Sequence, residues 1–240
     1  MSKQKIIIPL DVDTPEKAIA LVKQLSGEVG AFKVGLELIN IAGPAIFDEI
    51  KAAGADKIFY DCKLHDIPNT VAGASRAIAK RGLWLFNVHC AGGFDMMKAA
   101  KDASAEAAER FGLKPPKVIG VTILTSIDQF VLNDQMRVPG SVADQVVHFA
   151  KLAKEAGLDG VVASAHEIEI IRQACGDDFM IVTPGVRPAG SDVGDQKRVM
   201  TPGEAVRRGS DYLVIGRPII RAEDPVAAAR AIALDMENIA

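Results

Sequence analysis

Short apolar segments and longer amphipathic segments alternate along the chain, and the alternation repeats about eight times. The short segments, which have the length and apolar composition of buried strands, are at 6–11, 31–35, 57–63, 85–89, 118–124, 160–163, 180–183 and 212–215. The longer segments, which show helical periodicity, are at 14–25, 44–53, 71–81, 94–111, 141–156, 167–175, 202–208 and 225–238. Such strict alternation predicts a parallel sheet that is buried on both faces.

The number of strands favours a closed barrel over an open sheet, since open doubly wound sheets usually carry about five or six strands. A dinucleotide-binding sheet would also need a glycine-rich turn after its first strand, whereas this chain has Asp-Val-Asp-Thr at 11–14. The 240 residues contain no linker rich in Pro, Ser or Gly. We therefore predict an α/β fold with one domain, a single (β/α)8 TIM barrel over 1–240, and functional groups at the carboxyl ends of its strands.

Charge and composition exclude several classes of partner. The net charge is -3, and the 28 Lys and Arg residues are scattered, so the chain lacks the basic patch of a nucleic-acid-binding protein. No segment approaches the roughly 20 apolar residues of a membrane span, and the amino terminus lacks the pattern of a secretory signal. The three cysteines have no metal-site spacing. We expect no nucleic-acid or membrane partner, no metal, and a reducing, cytoplasmic location.

Charged residues collect at the predicted carboxyl ends of the first three strands. Asp11 ends the first strand and Lys33 lies in the second. Asp61 and Lys63 end the third strand, and Asp66 lies just beyond it. Buried charges are costly unless they neutralise one another, and adjacent carboxylates would keep each lysine protonated as a proton donor. One pair could be an ordinary salt bridge at the rim, but five charges of alternating sign indicate a catalytic array.

The segments after the last two strands are suited to bind an anion. Arg187 lies in a long loop after the seventh strand, and Gly216, Arg217 and Pro218 follow the eighth. Glycine permits close approach to the backbone, arginine can bind two phosphate oxygens, and proline can begin a helix whose amides face an anion. Either arginine alone could be a solvated surface residue. Because phosphate sites of TIM barrels commonly lie after strands seven and eight, the two together predict a phosphate site.

Two further polar residues at strand ends are less informative. Thr125, after the fifth strand, could contact a substrate between the two charged regions, but its spacing alone favours an ordinary cap of the following turn. His89 ends the fourth strand and could be a histidine of the core. His89 is therefore not included in the predicted site.

Taken together, these motifs resemble the orotidine 5'-phosphate decarboxylase family over nearly the whole chain. The most specific is Asp-x-Lys-x-x-Asp-Ile-Pro-Asn-Thr at 61–70, whereas Gly-Arg-Pro at 216–218 is weak by itself. The other matching segments are Leu-Asp at 10–11, Phe-Lys-Val-Gly at 32–35, Asn-Val-His at 87–89, Leu-Thr-Ser at 124–126, Pro-Gly-Val-Arg at 184–187 and Gln196. Cys62 departs from the bacterial pattern, which more often has Leu, but we expect its side chain to face the helices.

The resemblance implies a carboxy-lyase that converts orotidine 5'-monophosphate to uridine 5'-monophosphate and CO2, the last step of de novo pyrimidine biosynthesis, without metal or organic cofactor. It implies a barrel of the ribulose-phosphate-binding type. Lys63 would protonate the carbanion at C6, with Asp61 beside the substrate carboxylate. Lys33 and Asp66 would complete the charge array, and Asp66 and Thr70 would reach into the site of the partner in a homodimer. The substrate-binding residues that the resemblance implies are Asp11, Lys33, Asp61, Lys63, Ile67, Thr70, Thr125, Arg187, Gln196, Gly216 and Arg217.

Three other functions remain open at this point. Magnesium-dependent sugar-phosphate decarboxylases and aldolases of the same barrel superfamily share Asp-x-Lys-x-x-Asp, but they carry an acidic metal ligand at the second strand, where this chain has Lys33. A barrel that only binds a nucleotide or a protein would not need Lys63. A Schiff-base aldolase would form a covalent adduct on Lys33 or Lys63.

Overall fold

The computed structural model describes residues 2–188 and 200–238, and its eight strands form one closed parallel barrel in chain order. The strands are β1 (Ile6–Pro9), β2 (Ala31–Val34), β3 (Ile58–Leu64), β4 (Leu85–His89), β5 (Lys117–Val121), β6 (Gly160–Val162), β7 (Met180–Pro184) and β8 (Tyr212–Val214). The helices are α1 (Pro15–Leu25), α2 (Leu36–Ala42), α3 (Ile46–Ala52), α4 (Pro68–Ala79), α5 (Gly93–Arg110), α6 (Val142–Glu155), α7 (Ile168–Cys175), α8 (Pro202–Arg207), α9 (Arg217–Ile220) and α10 (Pro225–Asn238). The predicted (β/α)8 fold is confirmed.

The chain divides into two compact units. Unit 1 comprises Met1–Cys62, Leu83–Leu85 and Thr183–Ala240. Unit 2 comprises Lys63–Gly82 and Phe86–Val182. The boundary falls within β3, so that Asp61 belongs to unit 1 and Lys63 to unit 2.

In unit 1, an apolar core lies behind the first two strands. Every residue of β1 and β2 is buried, and the three isoleucines of β1 are completely inaccessible to solvent. Helix α1 buries Ala18, Val22 and Leu25, which are spaced by about one helical turn. Each large aliphatic side chain contributes about 1.5–3 kcal/mol when fully buried. This packing gives a rigid support to the polar residues at the carboxyl ends of these strands.

In unit 2, helix α4 packs against α5, and strands β5 and β6 pair in parallel. The helices bury small and medium side chains at helical spacing, including Val71 and Ile78 on α4 and Met97, Ala100 and Ala108 on α5. Helix α4 begins at a proline, whose missing N–H would have no partner in the first turn.

The observed elements differ from the predicted ones mainly at their ends. The strands predicted at 6–11 and 118–124 end earlier in the structure, at Pro9 and Val121. The prediction was too long because Leu10 and Ile123 are buried although they lie beyond the ends of these strands. Two helices, α2 and α9, are not predicted by the periodicity. They have seven and four residues, which is too short for a helical repeat to be recognised.

None of the helices in the described ranges combines the length and the apolar character needed to span a membrane.

Candidate active site

The register of the first three strands determines where their charged residues lie. Pro9 pairs with Lys33, and Lys33 pairs with Phe59. Asp11 and Asp61 each follow these partners by two residues. Since side chains alternate with a period of two along a strand, both carboxylates continue the face that Pro9 and Phe59 occupy. The pairing therefore places a carboxylate on each side of Lys33, at the carboxyl end of the sheet.

Lys33 forms an ion pair with both carboxylates. Its Nζ lies 3.2 Å from Asp11 Oδ1 and 3.2 Å from Asp61 Oδ2. Lys33 is only 7% exposed, so its ammonium needs these partners to be tolerated at this depth. The structure thus brings together three of the five charges that the sequence assigns to the array.

Gly35 provides the space for this ion cluster. A Cβ atom at Gly35 would lie 3.1 Å from both Lys33 Nζ and Asp11 Oδ1. That separation is tighter than an ordinary van der Waals contact, so even alanine would press on the salt bridge. Gly35 is not among the predicted site residues. In the sequence, only the position of Gly35 directly after Phe-Lys-Val could have suggested that side chains approach its backbone closely.

The ion cluster opens into a cavity of about 340 Å³, within the size range of small-molecule sites. Its lining residues, all in unit 1, are Pro9, Asp11, Lys33, Asp61, Pro184, Gly185, Arg187, Val214, Gly216, Arg217, Ile220 and Arg221. The cavity therefore holds Arg187, Gly216 and Arg217, three of the predicted phosphate-binding residues, together with the ion cluster. An anionic ligand and a polar, hydroxyl-bearing ligand group both find complementary side chains here.

The arginines of the cavity are placed by the ends of β7 and β8. Arg187 is 6% exposed; its side chain donates to the Val186 carbonyl at 2.9 Å and its amide to the Met200 carbonyl at 3.0 Å. Arg217 begins α9. Gly216 precedes it against β1, where a Cβ atom would lie 2.9 Å from Pro9 Cγ. Any larger residue at this position would displace the loop.

Arg221 lines the cavity but is not among the predicted site residues. It follows α9, its amide donates to the Arg217 carbonyl at 3.1 Å, and its side chain is exposed at the cavity. Residues four apart on a helix share a face. The spacing of Arg217 and Arg221 could have revealed a third cation, had the short helix been recognised.

In unit 2, four of the predicted site residues lie between the end of β3, which includes Lys63, and the first turn of α4, which includes Thr70. Lys63 is half-buried, whereas Asp66, Ile67 and Thr70 are exposed. Asp66 Oδ1 accepts a hydrogen bond from the Ile67 amide at 2.7 Å, and Ile67 is 66% exposed.

Thr125 and Gln196 are the remaining predicted site residues, and His89 is a strand-end residue outside the predicted site. Thr125 lies in unit 2 and is exposed in the turn after β5, which is closed by a hydrogen bond from the Ile127 amide to the Leu124 carbonyl. Gln196 lies outside the described residues. His89, which was left out of the predicted site, has its ring centroid 5.4 Å from that of His65.

A carboxyl group with an unusual pKa lies just after β6. Glu167 Oε2 accepts a hydrogen bond from the Ser164 amide at 2.9 Å, in a reciprocal cap of the short turn Ala165–Glu167. Desolvation raises the pKa of Glu167 from 4.5 to about 7, and the hydrogen bond from Ser164 lowers it by a smaller amount. At neutral pH this carboxyl group is therefore partly protonated.

We expect Glu167→Gln to make folding stability less dependent on pH. The pKa is higher in the folded state, so the unfolded state loses its proton first as the pH rises above about 4.5. Below about pH 4.5, Glu167 is protonated in both states and does not destabilise the fold. Between about pH 4.5 and pH 7 it lowers the free energy of unfolding increasingly, and above pH 7 this loss stays constant. Compared with the unaltered protein, the variant should gain about 2–3 kcal/mol between pH 5 and pH 8 in urea denaturation. Glu106→Gln, on the exposed face of α5, is the control, and equal pH profiles for both variants would contradict the prediction.

Comparisons with known proteins agree on one family. The model of the "Orotidine 5'-phosphate decarboxylase / HUMPS family" matches residues 4–232. An orotidine 5'-phosphate decarboxylase of Moorella thermoacetica is 54% identical over 238 residues, which cover 99% of this chain and 94% of the relative. One of Syntrophomonas wolfei is 48% identical over 99% of both chains. The crystal structure of orotidine 5'-phosphate decarboxylase from Lactobacillus acidophilus matches with a TM-score of 0.85 and 40% identity, over 96% of this chain and 98% of that one.

Proposed function

Since the chain belongs to the orotidine 5'-phosphate decarboxylase / HUMPS family, we propose that it converts orotidine 5'-monophosphate to uridine 5'-monophosphate and CO2. This makes it a carboxy-lyase of pyrimidine biosynthesis. The observation that carries the proposal is one cavity in which Lys33 pairs with Asp11 and Asp61, and in which Arg187 and Arg217 offer cations to a phosphate. A nucleoside monophosphate has groups for both regions.

The reaction needs stabilisation of negative charge on a ring carbon. When CO2 leaves, the electron pair of the broken bond stays on C6 of the pyrimidine. A fixed ammonium stabilises that charge electrostatically and can then transfer its proton to C6. We assign this ammonium to Lys63, which afterwards regains a proton from solvent. Asp61 lies beside the carboxylate that departs, and Lys33 holds Asp61 in place by its ion pair.

The remaining roles follow the chemistry of the substrate. Asp11 and Lys33 bind ribose hydroxyls, and Thr125 contacts the pyrimidine. The phosphate group is bound by Arg187, Gln196, Gly216 and Arg217. Binding of the distant phosphate supplies energy that can be used to position the reacting carbon. The assignment of separate ribose-binding and phosphate-binding residues is supported by the cavity, which contains both the ion cluster and the two arginines.

We further propose that the protein is a homodimer in which Asp66 and Thr70 complete the site of the partner, with Ile67 in contact beside them. Two observations support a contact at this turn. All three residues are exposed, and Ile67 presents most of an isoleucine side chain to solvent. A symmetric dimer would bury the same turn twice, once in each site.

The domain and the location are also proposals. We propose that residues 1–240 act as a single domain, because strands of both units belong to one closed sheet. We place the protein in the cytoplasm, since Cys90 and Cys175 are buried cysteines that form no disulfide, as is usual in a reducing compartment. With a net charge of -3, we expect no nucleic-acid partner.

The function is tested by incubating the purified protein with orotidine 5'-monophosphate and following the ultraviolet absorbance as the conjugated carboxylate is lost. We expect turnover that persists after dialysis against EDTA. The ammonium of Lys33 occupies the place between two carboxylates and would repel a divalent cation there. Activity that is lost in EDTA and restored by magnesium would instead support a metal-dependent sugar-phosphate enzyme of the same superfamily. No turnover at all would refute the proposed function.

A further inference from the structure

Asn87 is a buried polar residue between two apolar residues of β4. It lies in β4 between Phe86 and Val88, and all three residues are completely inaccessible to solvent. A buried amide side chain costs free energy unless its polar atoms find partners. Its presence among apolar neighbours therefore indicates a specific hydrogen-bonding task.

Lys63 has an unusual backbone conformation. Among residues 2–188 and 200–238, only Lys63 and Arg137 combine a side chain with a positive φ, and the φ of Lys63 is 48°. This left-handed conformation is sterically unfavourable for a residue with a Cβ atom, and it persists only where the surroundings maintain it. It rotates the lysine side chain about its N–Cα bond relative to the preceding strand. The direction of the ammonium therefore depends on whether this conformation is kept.

The two residues are joined by a hydrogen bond. The Lys63 amide donates to Asn87 Oδ1 at 2.7 Å. Strands β3 and β4 are neighbours in the barrel, so the Asn87 side chain accepts this amide across one strand spacing. A valine at position 87 would suit the strand equally well but would offer no acceptor.

We propose that Asn87 is a positioning residue for the decarboxylation, which holds Lys63 in its left-handed conformation and thereby directs the ammonium toward C6. The inference rests on the proposed function, because it presumes that Lys63 is the proton donor. Asn87 itself needs no contact with the substrate. Its effect is exerted through the amide of Lys63 and the rigidity of a fully buried strand.

The kinetic test compares Asn87→Ala with Asn87→Asp. Displacement of a reacting group by about 1 Å can lower a rate by about 100-fold. We therefore expect Asn87→Ala to lower kcat by about 10- to 100-fold and to leave KM within about threefold, because the phosphate- and ribose-binding side chains are unchanged. Asn87→Asp retains the oxygen that accepts the Lys63 amide and should recover most of the lost kcat. A large rise in KM with unchanged kcat, or equal losses in both variants, would overturn the proposal.

A matched variant separates positioning from general destabilisation. Thr122 is also buried, and its hydroxyl donates to the Val162 carbonyl at 3.0 Å. Both Thr122→Val and Asn87→Ala should lower the stability to urea. Only Asn87→Ala should also lower kcat. If Thr122→Val lowers kcat as much as Asn87→Ala does, the effect is one of stability and the proposal fails.

Amide hydrogen exchange of the unaltered protein tests the hydrogen bond without any variant. The Lys63 amide should exchange at least about 100-fold more slowly than an unprotected amide of the same sequence, since its acceptor is fully buried. Exchange at the unprotected rate would overturn the proposal even if the Asn87 variants fail to fold. A slowly exchanging Lys63 amide in a protein that does not decarboxylate orotidine 5'-monophosphate would refute the proposed function while leaving the hydrogen bond intact.

Discussion

Replacement of Lys63 by alanine should lower kcat/KM for orotidine 5'-monophosphate by about 10⁵-fold, because proton donation contributes about 10²–10⁴-fold and charge stabilisation about 10²–10³-fold. The affinity for uridine 5'-monophosphate should change little, since the Lys33 cluster and the arginines remain in place. The rates are measured by absorbance under single-turnover conditions, and the affinity by calorimetry. A selective loss of rate is the expected signature of a group that acts in the transition state.

Lys114→Ala provides the control, because Lys114 is an exposed lysine outside the described cavity. It should leave both the rate and the affinity unchanged. If Lys63→Ala retained more than a tenth of the activity, Lys63 would not be the proton donor. Trapping of a covalent adduct on Lys33 or Lys63 by borohydride would instead indicate Schiff-base chemistry.

The fold could be predicted because strand and helix differ in their hydrophobic period. Eight buried strands separated by helices have few arrangements other than a closed barrel, and the structure has that arrangement. The ends of the elements were harder to place. Leu10 and Ile123 are buried beyond the ends of their strands, so the apolar run extends past the hydrogen-bonded ladder. Burial of a residue and its hydrogen bonding to a neighbouring strand are separate properties, and apolar sequence patterns indicate chiefly the burial.

The ion cluster could be predicted from position alone. Asp11, Lys33 and Asp61 come from three consecutive strands, and a parallel barrel aligns the carboxyl ends of such strands. The register that brings both carboxylates within 3.2 Å of the Lys33 ammonium is a tertiary feature. The alternating charges at the predicted strand ends were nevertheless sufficient to predict that these three residues lie close together, because few other arrangements neutralise buried charges.

The features that were missed depend on backbone geometry. The positive φ of Lys63 has no signal in residue type, since lysine rarely adopts this conformation. The role of Gly35 follows from a 3.1 Å approach to the side chains of Lys33 and Asp11, which come from neighbouring strands and meet at one point. Arg221 enters the cavity by way of a four-residue helix. Each of these depends on the path of the chain in three dimensions.

Mixing Lys63→Ala with Asp66→Asn should restore activity that neither variant has alone. If Asp66 serves the site of the partner subunit, one site of each mixed dimer contains both an intact Lys63 and an intact Asp66. Random exchange of subunits makes about half of the dimers mixed, so about a quarter of all sites should be intact. The activity of an equimolar mixture is measured before and after subunit exchange, which native mass spectrometry follows.

The pair Lys63→Ala and Asp61→Asn is the matched control, because Asp61 and Lys63 are assigned to the same site of the same subunit. No site in that mixed dimer has both groups intact, so exchange should restore nothing. Recovery with Asp66→Asn but not with Asp61→Asn would divide the segment 61–70 between two sites. Asp61 and Lys63 would then act in their own barrel, and the exposed Asp66 in that of the partner. Failure of Asp66→Asn to complement, despite proven exchange, would instead place Asp66 at the same site as Lys63 of its own subunit.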